Sequence, residues 1–167
     1  RLSVILSTFN SIDLLSKTLA GYERQTYRDF ELLVADDGSD EETRDRLEEL
    51  GRRHSFTIRH VWQEDRGFRK CRILNRAIVA ASGEYLVLSD GDCVPWATFL
   101  AVHAELARPG RFLSGGYFKM NQEASARITV GDILAGRVED LLWLHGRGLR
   151  ASWRLLRLKA GRTVGRG

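Results

Sequence analysis

No apolar run in this chain approaches the roughly 20 residues that a membrane-spanning helix needs. Arg1 opens directly into a strand-like segment, without the apolar core of a signal peptide. The expectation is a soluble, cytoplasmic chain. Only two cysteines are present, Cys71 and Cys93, which excludes a disulfide framework, and their spacing is not that of a zinc site. Both are expected as small buried side chains in a reducing compartment. No Gly-x-Gly-x-x-Gly follows the first apolar segment and no Gly-Lys-Ser/Thr loop occurs, which disfavours dinucleotide-binding enzymes and NTPases. Acidic residues become scarce late in the chain. Positions 137–167 hold 8 Lys or Arg against 2 Asp or Glu, whereas positions 1–136 hold 18 against 20, so the net charge of +4 is a property of the tail.

What remains is ordinary globular material: 167 residues, 43% of them apolar, enough for one domain with a sizeable core. Along the chain, short apolar runs alternate with segments of helical spacing. Ser3 to Thr8 reads as a strand buried on both faces, and Asn10 is placed to cap a helix carrying Ile12, Leu15, Leu19 and Tyr22. Phe30 to Ala35 is a second strand. It ends in the turn Asp36-Asp37-Gly38-Ser39, which leads into a helix with an acidic start and with Leu47 and Leu50 inward. Phe56 to Trp62 is a third strand. A helix from Phe68 then presents Cys71, Leu74, Ile78 and Ala81 on one face until Ser82-Gly83 stops it. Glu84 to Ser89 is a fourth strand, and Pro95 suits the first turn of a helix through Phe99, Val102 and Leu106. This alternation predicts an α/β protein, a mostly parallel sheet in a three-layer α-β-α sandwich. Phe112 to Met120, with its Gly-Gly break, reads as one further strand.

In such sheets ligands sit beyond the carboxyl ends of the strands. Three of those ends carry chemistry here: Thr8-Phe9-Asn10, Asp36-Asp37-Gly38-Ser39 and Asp90-Gly91-Asp92. Carboxylates gathered at one sheet edge repel each other unless a divalent cation or hydrogen-bond donors offset the charge. An Asp-x-Asp pair offers hard oxygens suited to Mg²⁺ or Mn²⁺, and Gly91 between the two permits a tight backbone turn. Asp-Gly is also a common turn pair. Its place after a buried strand, with a second acidic turn at a parallel position, favours a site.

Taken together, SVILSTFN, DFELLVADDGSDEETRDRL and EDRGFRKCRILNRAIVAASGEYLVLSDGDCVP resemble the nucleotide-binding half of family 2 glycosyltransferases with the GT-A fold, including bacterial polysaccharide and lipopolysaccharide enzymes. The resemblance spans about residues 1–118 and implies a donor-binding domain there, with 119–167 as a basic helical extension towards an acceptor-binding half. It implies that Ser7, Thr8, Phe9 and Asn10 border the nucleotide base, Phe9 against its face. One of Asp36 and Asp37 would accept from the pyrimidine N–H. Gly67 and Lys70 lie in the basic run that would approach the ribose or diphosphate, and Asn75 would fix its helix near the base. Asp90 would reach the ribose or a metal-bound water, and Asp92 would hold Mn²⁺ or Mg²⁺.

The function so implied is metal-dependent transfer of a sugar from a nucleotide sugar, a UDP-sugar in the first instance, to a glycan or lipid-linked acceptor with inversion. No nucleic-acid partner is expected. The run Leu141 to Leu158, basic and amphipathic with two tryptophans, suits peripheral contact with the inner membrane, an acidic glycan, or packing on a further domain. The family's late general base has no counterpart in a matching setting. Glu139-Asp140 comes too early and inside an expected helix, so the expectation is a fragment that is catalytically incomplete. Two other readings stay open on the sequence alone. One is a nucleotide-sugar-binding module that has lost transfer. The other is a haloacid-dehalogenase-like phosphatase, whose Asp-x-Asp-x-Val motif LVLSDGDCV also fits, although that class carries it on the first strand.

Overall fold

A computed structural model describes residues 1–147. Four strands, β1 (Leu2–Thr8), β2 (Phe30–Asp36), β3 (Thr57–Trp62) and β4 (Tyr85–Asp90), form one sheet in the order β3-β2-β1-β4, and every pair is parallel. Helices α1 (Ile12–Glu23), α2 (Glu41–Gly51), α3 (Lys70–Ala80) and α4 (Phe99–Leu106) alternate with the strands. The two inner strands are almost wholly buried, as their unbroken apolar runs require. Leu2, Val4 and Leu6 of β1 and Phe30, Leu32 and Val34 of β2 pack with Leu15, Leu19 and Tyr22 of α1, Leu47 of α2 and Leu100 of α4. The alternate residues Ile5, Leu33 and Ala35 pack on the other face with Ile73 and Ala77 of α3. The result is the expected three-layer α-β-α sandwich.

The strand order positions the site. From β1 the chain moves outward through β2 to β3, and α3 then carries it back across to β4 on the other side of β1. The strand order thus reverses beside β1, and in parallel sheets such a switch point opens a crevice at the carboxyl ends of the strands. Among the described residues the outer strand β4 pairs only with β1, and its Leu88 is 58% exposed.

The structure divides into two compact units, Arg1–Gly115 and Gly116–Gly167. In the second, α5 (Gln122–Arg127), α6 (Val130–Leu134), a 3₁₀ turn (Arg137–Glu139) and α7 (Leu141–Gly146) follow one another. Thr129 and Asp132 form a reciprocal capping box at the start of α6.

Several local expectations are corrected. Phe112 to Met120 is not a strand. Asn10 does not cap α1; the cap position is Ser11, and Asn10 adopts a left-handed φ of 44°. The helix read from Phe68 begins at Lys70 and buries Ile73 and Ala77, while Cys71 is exposed. Pro95 precedes α4 by four residues, packed near Gly21. Glu139 closes the 3₁₀ turn, and Asp140 caps α7 by accepting from the Leu142 and Trp143 amides at 2.9 and 3.3 Å. The basic run Leu141 to Leu158 lies outside the described residues beyond position 147. Among the described residues no helix is long and apolar enough to cross a membrane.

Candidate functional site

The exits of β1 and β4 are tied together. Ser7 and Asp90 are register partners, Ser7 Oγ donates to Asp90 Oδ1 at 2.7 Å, and the Gly91 amide donates to the Ser7 carbonyl at 2.9 Å. Gly91 is required by that approach: a Cβ there would lie 2.7 Å from the Ser7 carbonyl oxygen. Thr18 of α1 holds the next link, donating to the Gly91 carbonyl at 2.9 Å. The Asp-x-Asp turn is therefore anchored to β1 and α1, which fixes where its carboxylates stand.

Lys70, the first residue of α3, places Nζ 2.5 Å from Asp90 Oδ1. That ammonium, with the Ser7 hydroxyl second, holds the Asp90 carboxyl below its usual range. Asp92 is exposed, with Cys93 Sγ 3.5 Å from its Oδ1. Ligand-capable atoms of Asp90, Asp92 and Cys93 all lie within 4.8 Å of one another. Burial, with Asp92 beside it, pushes the Cys93 thiol up, so the set is dominated by hard carboxylate oxygen, the donor type that Mg²⁺ and Mn²⁺ prefer.

The acidic turn after β2 splits into two different groups. Asp36 is fully buried. Its Oδ1 accepts from the Gly38 and Ser39 amides at 3.2 and 2.8 Å, and its Oδ2 faces His60 Nε2 at 2.8 Å. Burial opposes its charge, but the His60 and Ser39 hydrogen bonds outweigh that and lower its pKa. Asp37 stands beyond the strand. Its Oδ1 accepts from Gln63 Nε2 at 2.5 Å and its Oδ2 from the Arg69 amide at 2.8 Å.

These strand ends enclose a cavity of about 590 Å³. Of the residues singled out in the sequence, Ser7, Thr8, Phe9, Asp37, Gly67, Lys70, Asp90 and Asp92 line it. Thr8 Oγ1 is buried with no hydrogen-bond partner among the described residues. The other three do not line it. Asp36 lies beneath, Asn10 is exposed and accepts from the Asp40 amide at 2.9 Å, and Asn75 is exposed on α3. Sequence reasoning missed Gln63, Phe68 and Leu14. Gln63 directly follows β3, so the strand-end rule points to it; Phe68 and Leu14 carry no comparable signal. A second depression, about 670 Å³ between α2 and β3, includes none of the Asp-x-Asp groups.

Solved structures of GT-A nucleotide-sugar transferases match this fold. A mannosyltransferase of Pyrobaculum calidifontis, solved in complex with GDP-Man and Mn²⁺, is 31% identical with a TM-score of 0.58 over 65% of this chain and 33% of that one. TarS of S. aureus matches in fold, with a TM-score of 0.53 at 22% identity over 72% of this chain and 38% of that one. The chain belongs to glycosyl transferase family 2, whose model matches residues 3–130. Validoxylamine A glucosyltransferase of Streptomyces hygroscopicus subsp. jinggangensis is 40% identical over 157 residues, 86% of this chain and 36% of that protein. Chondroitin synthase of Escherichia coli is 33% identical over 108 residues, 63% of this chain and 15% of that protein. The chain thus spans 15% and 36% of the length of these two relatives.

Proposed function

We propose that residues 1–118 form the donor-binding domain of a metal-dependent glycosyltransferase. It takes a nucleotide sugar, a UDP-sugar in the first instance, and delivers the sugar to a glycan or lipid-linked acceptor with inversion. The observation that carries this reading is the convergence of Asp37, Lys70, Asp90 and Asp92 on one cavity from three separate connections. Support for a metal comes from the carboxylate-rich set of Asp90, Asp92 and Cys93 and from the Mn²⁺ named in the 31%-identical mannosyltransferase complex. A bound divalent cation supplies charge to a departing nucleoside diphosphate.

The chain's own residues divide the remaining work. Asp92, exposed and with only a weak thiol donor beside it, is the chief metal ligand. Asp90, already bonded to Ser7 and Lys70, is oriented by them towards the same place. Lys70 adds an ammonium for the diphosphate, and Thr8 Oγ1 offers a hydroxyl still unpaired among the described residues. Asp37, which lines the cavity where Asp36 does not, accepts from the base N–H, and Phe9 lies against the base. Gly67 lets the backbone turn beside the ribose. The excess of basic residues over 137–167 supports contact of the tail with the cytoplasmic face of an anionic membrane.

Isothermal titration calorimetry tests this reading directly. UDP is expected to bind in Mn²⁺ and to bind much more weakly in EDTA, with GDP as the comparison. Equal UDP affinity in both conditions overturns the metal assignment, and no binding of either nucleotide overturns the donor site.

A further inference from the structure

The donor cavity is lined by exposed apolar side chains as well as by carboxylates. Phe9, Leu14 and Phe68 all line it, and they are 48%, 37% and 89% exposed. Single apolar side chains scattered over a surface need no explanation. Three on one cavity that also presents Asp37, Asp90 and Asp92 are a different matter, because apolar lining with a few fixed polar groups is the make-up of a small-molecule site. Phe68 is the extreme case, a phenyl ring almost wholly in water.

The backbone holds Phe68 there on both sides. Gly67 takes a φ of +82°, which an L side chain rarely adopts, and its amide donates to Asp65 Oδ1 at 2.9 Å. On the other side, the Arg69 amide donates to Asp37 Oδ2 at 2.8 Å. Asp65 in turn packs its backbone against Gly38, where a Cβ would lie 2.5 Å from the Asp65 Cα. The ring is therefore presented by an anchored segment. That segment is bonded to the same carboxylate that the proposed function gives to the edge of the nucleobase. A planar ligand whose edge meets Asp37 has an aromatic face within one residue of the anchoring amide.

We infer that Phe68 is a stacking platform for the nucleobase of the donor. This rests on the reading of the cavity as a nucleotide-sugar site. Stacking acts on the π face that every base has, so Phe68 contributes affinity without choosing between uracil and guanine. Choice between bases falls to polar groups such as Asp37, which lines the same cavity.

The test is calorimetry in Mn²⁺ on the parent, F68A, F68L and F68W, with UDP, GDP and inorganic diphosphate as probes. F68A is expected to weaken UDP and GDP by similar factors, about 5- to 150-fold, and to leave diphosphate unchanged. F68L keeps apolar bulk without a π face and should lose most of the same affinity, while F68W should retain it and show fluorescence quenched by UDP but not by diphosphate. F68L and F68W decide the matter should F68A fold poorly. UDP affinity equal to the parent in F68A and F68L overturns the inference, as does equal weakening of UDP and diphosphate, which would place the ring at the phosphates. Failure of the parent to bind any of the nucleotides instead overturns the donor-site reading, and Phe68 with it.

Discussion

Lys70→Ala separates a binding role from a structural one. Lys70 Nζ and Asp90 Oδ1 are 2.5 Å apart, but the two side chains are 36% and 54% exposed. Pairs as exposed as this contribute about 0–1 kcal/mol to stability, because water screens the attraction and two side chains must be ordered. The substitution should therefore cost less than about 1 kcal/mol, a shift of only a few degrees in melting temperature. Asp90 keeps its Ser7 hydrogen bond, and its carboxyl drifts back up towards the ordinary range as its principal stabilising partner is lost. At a diphosphate the balance differs. A hydrogen bond involving a charged group is worth about 1.5–3 kcal/mol, so UDP affinity should fall about 10- to 150-fold. Uridine, which has no phosphate, should bind the variant as it binds the parent.

Thermal denaturation and titration with UDP and uridine in Mn²⁺ give all three quantities. Lys70→Arg should recover part of the UDP affinity, since charge returns but a forked guanidinium replaces a compact ammonium. A loss of more than about 2 kcal/mol of stability with unchanged UDP affinity would refute the reasoning and make Lys70 a clamp on Asp90.

Three further outcomes are expected. Asp92→Asn should weaken UDP binding in Mn²⁺ and leave the residual affinity in EDTA unchanged, as calorimetry in the two buffers will show. Gly91→Ala must displace the Ser7 carbonyl that a Cβ would meet at 2.7 Å; overpacking of this kind costs about 1–3 kcal/mol, and melting temperature and UDP affinity should fall together. Glu31, on β2 at the far end of the sheet from the cavity, is buried. Burial opposes its charge, but hydrogen bonds from Ser82, Ser3 and Arg59 prevail and lower its carboxyl to about 2. Its contribution is thus fully present above the unfolded value near 4.3 and lost as pH falls from there through about 2, amounting to about 3 kcal/mol; Glu31→Gln should flatten that part of the urea-stability profile measured between pH 7 and pH 2.

The two inner strands were legible because burial on two faces writes itself as an apolar run, and all four read from the sequence lie within one residue of β1 to β4 at each end. Phe112 to Met120 is also rich in apolar residues but does not form a strand. An apolar run states only that a segment would gain by burial; it does not supply a neighbouring strand edge, and Gly115-Gly116 weakens the segment further. Phe112 and Tyr117 are accordingly 87% and 70% exposed. The inward face of α3 was misplaced for a related reason. Cys71, Leu74 and Ile78 have helical spacing, but so do Ile73 and Ala77 with Leu74 and Ile78 flanking them, and the position of the helix over Ile5, Leu33 and Ala35 chooses the second set. That choice is made by tertiary packing, beyond the reach of local periodicity.

The pair Asp36-Asp37 shows the same limit at the site itself. Adjacent residues leaving a strand turn their side chains in different directions, so two neighbouring carboxylates cannot both face one ligand equally. Which of them turns inward depends on partners far along the chain. His60 on β3 meets Asp36, 24 residues earlier, while Gln63 and the Arg69 amide meet Asp37 across 26 and 32 residues. A buried carboxylate bonded to His60 and two backbone amides stabilises the turn, and moving it towards a ligand would strand those donors at about 1–3 kcal/mol each. Asp37 keeps its bonds and still borders the cavity. On the proposed reading, the base-binding role that sequence left shared between two residues falls to the second, and the first serves as the support that holds the turn.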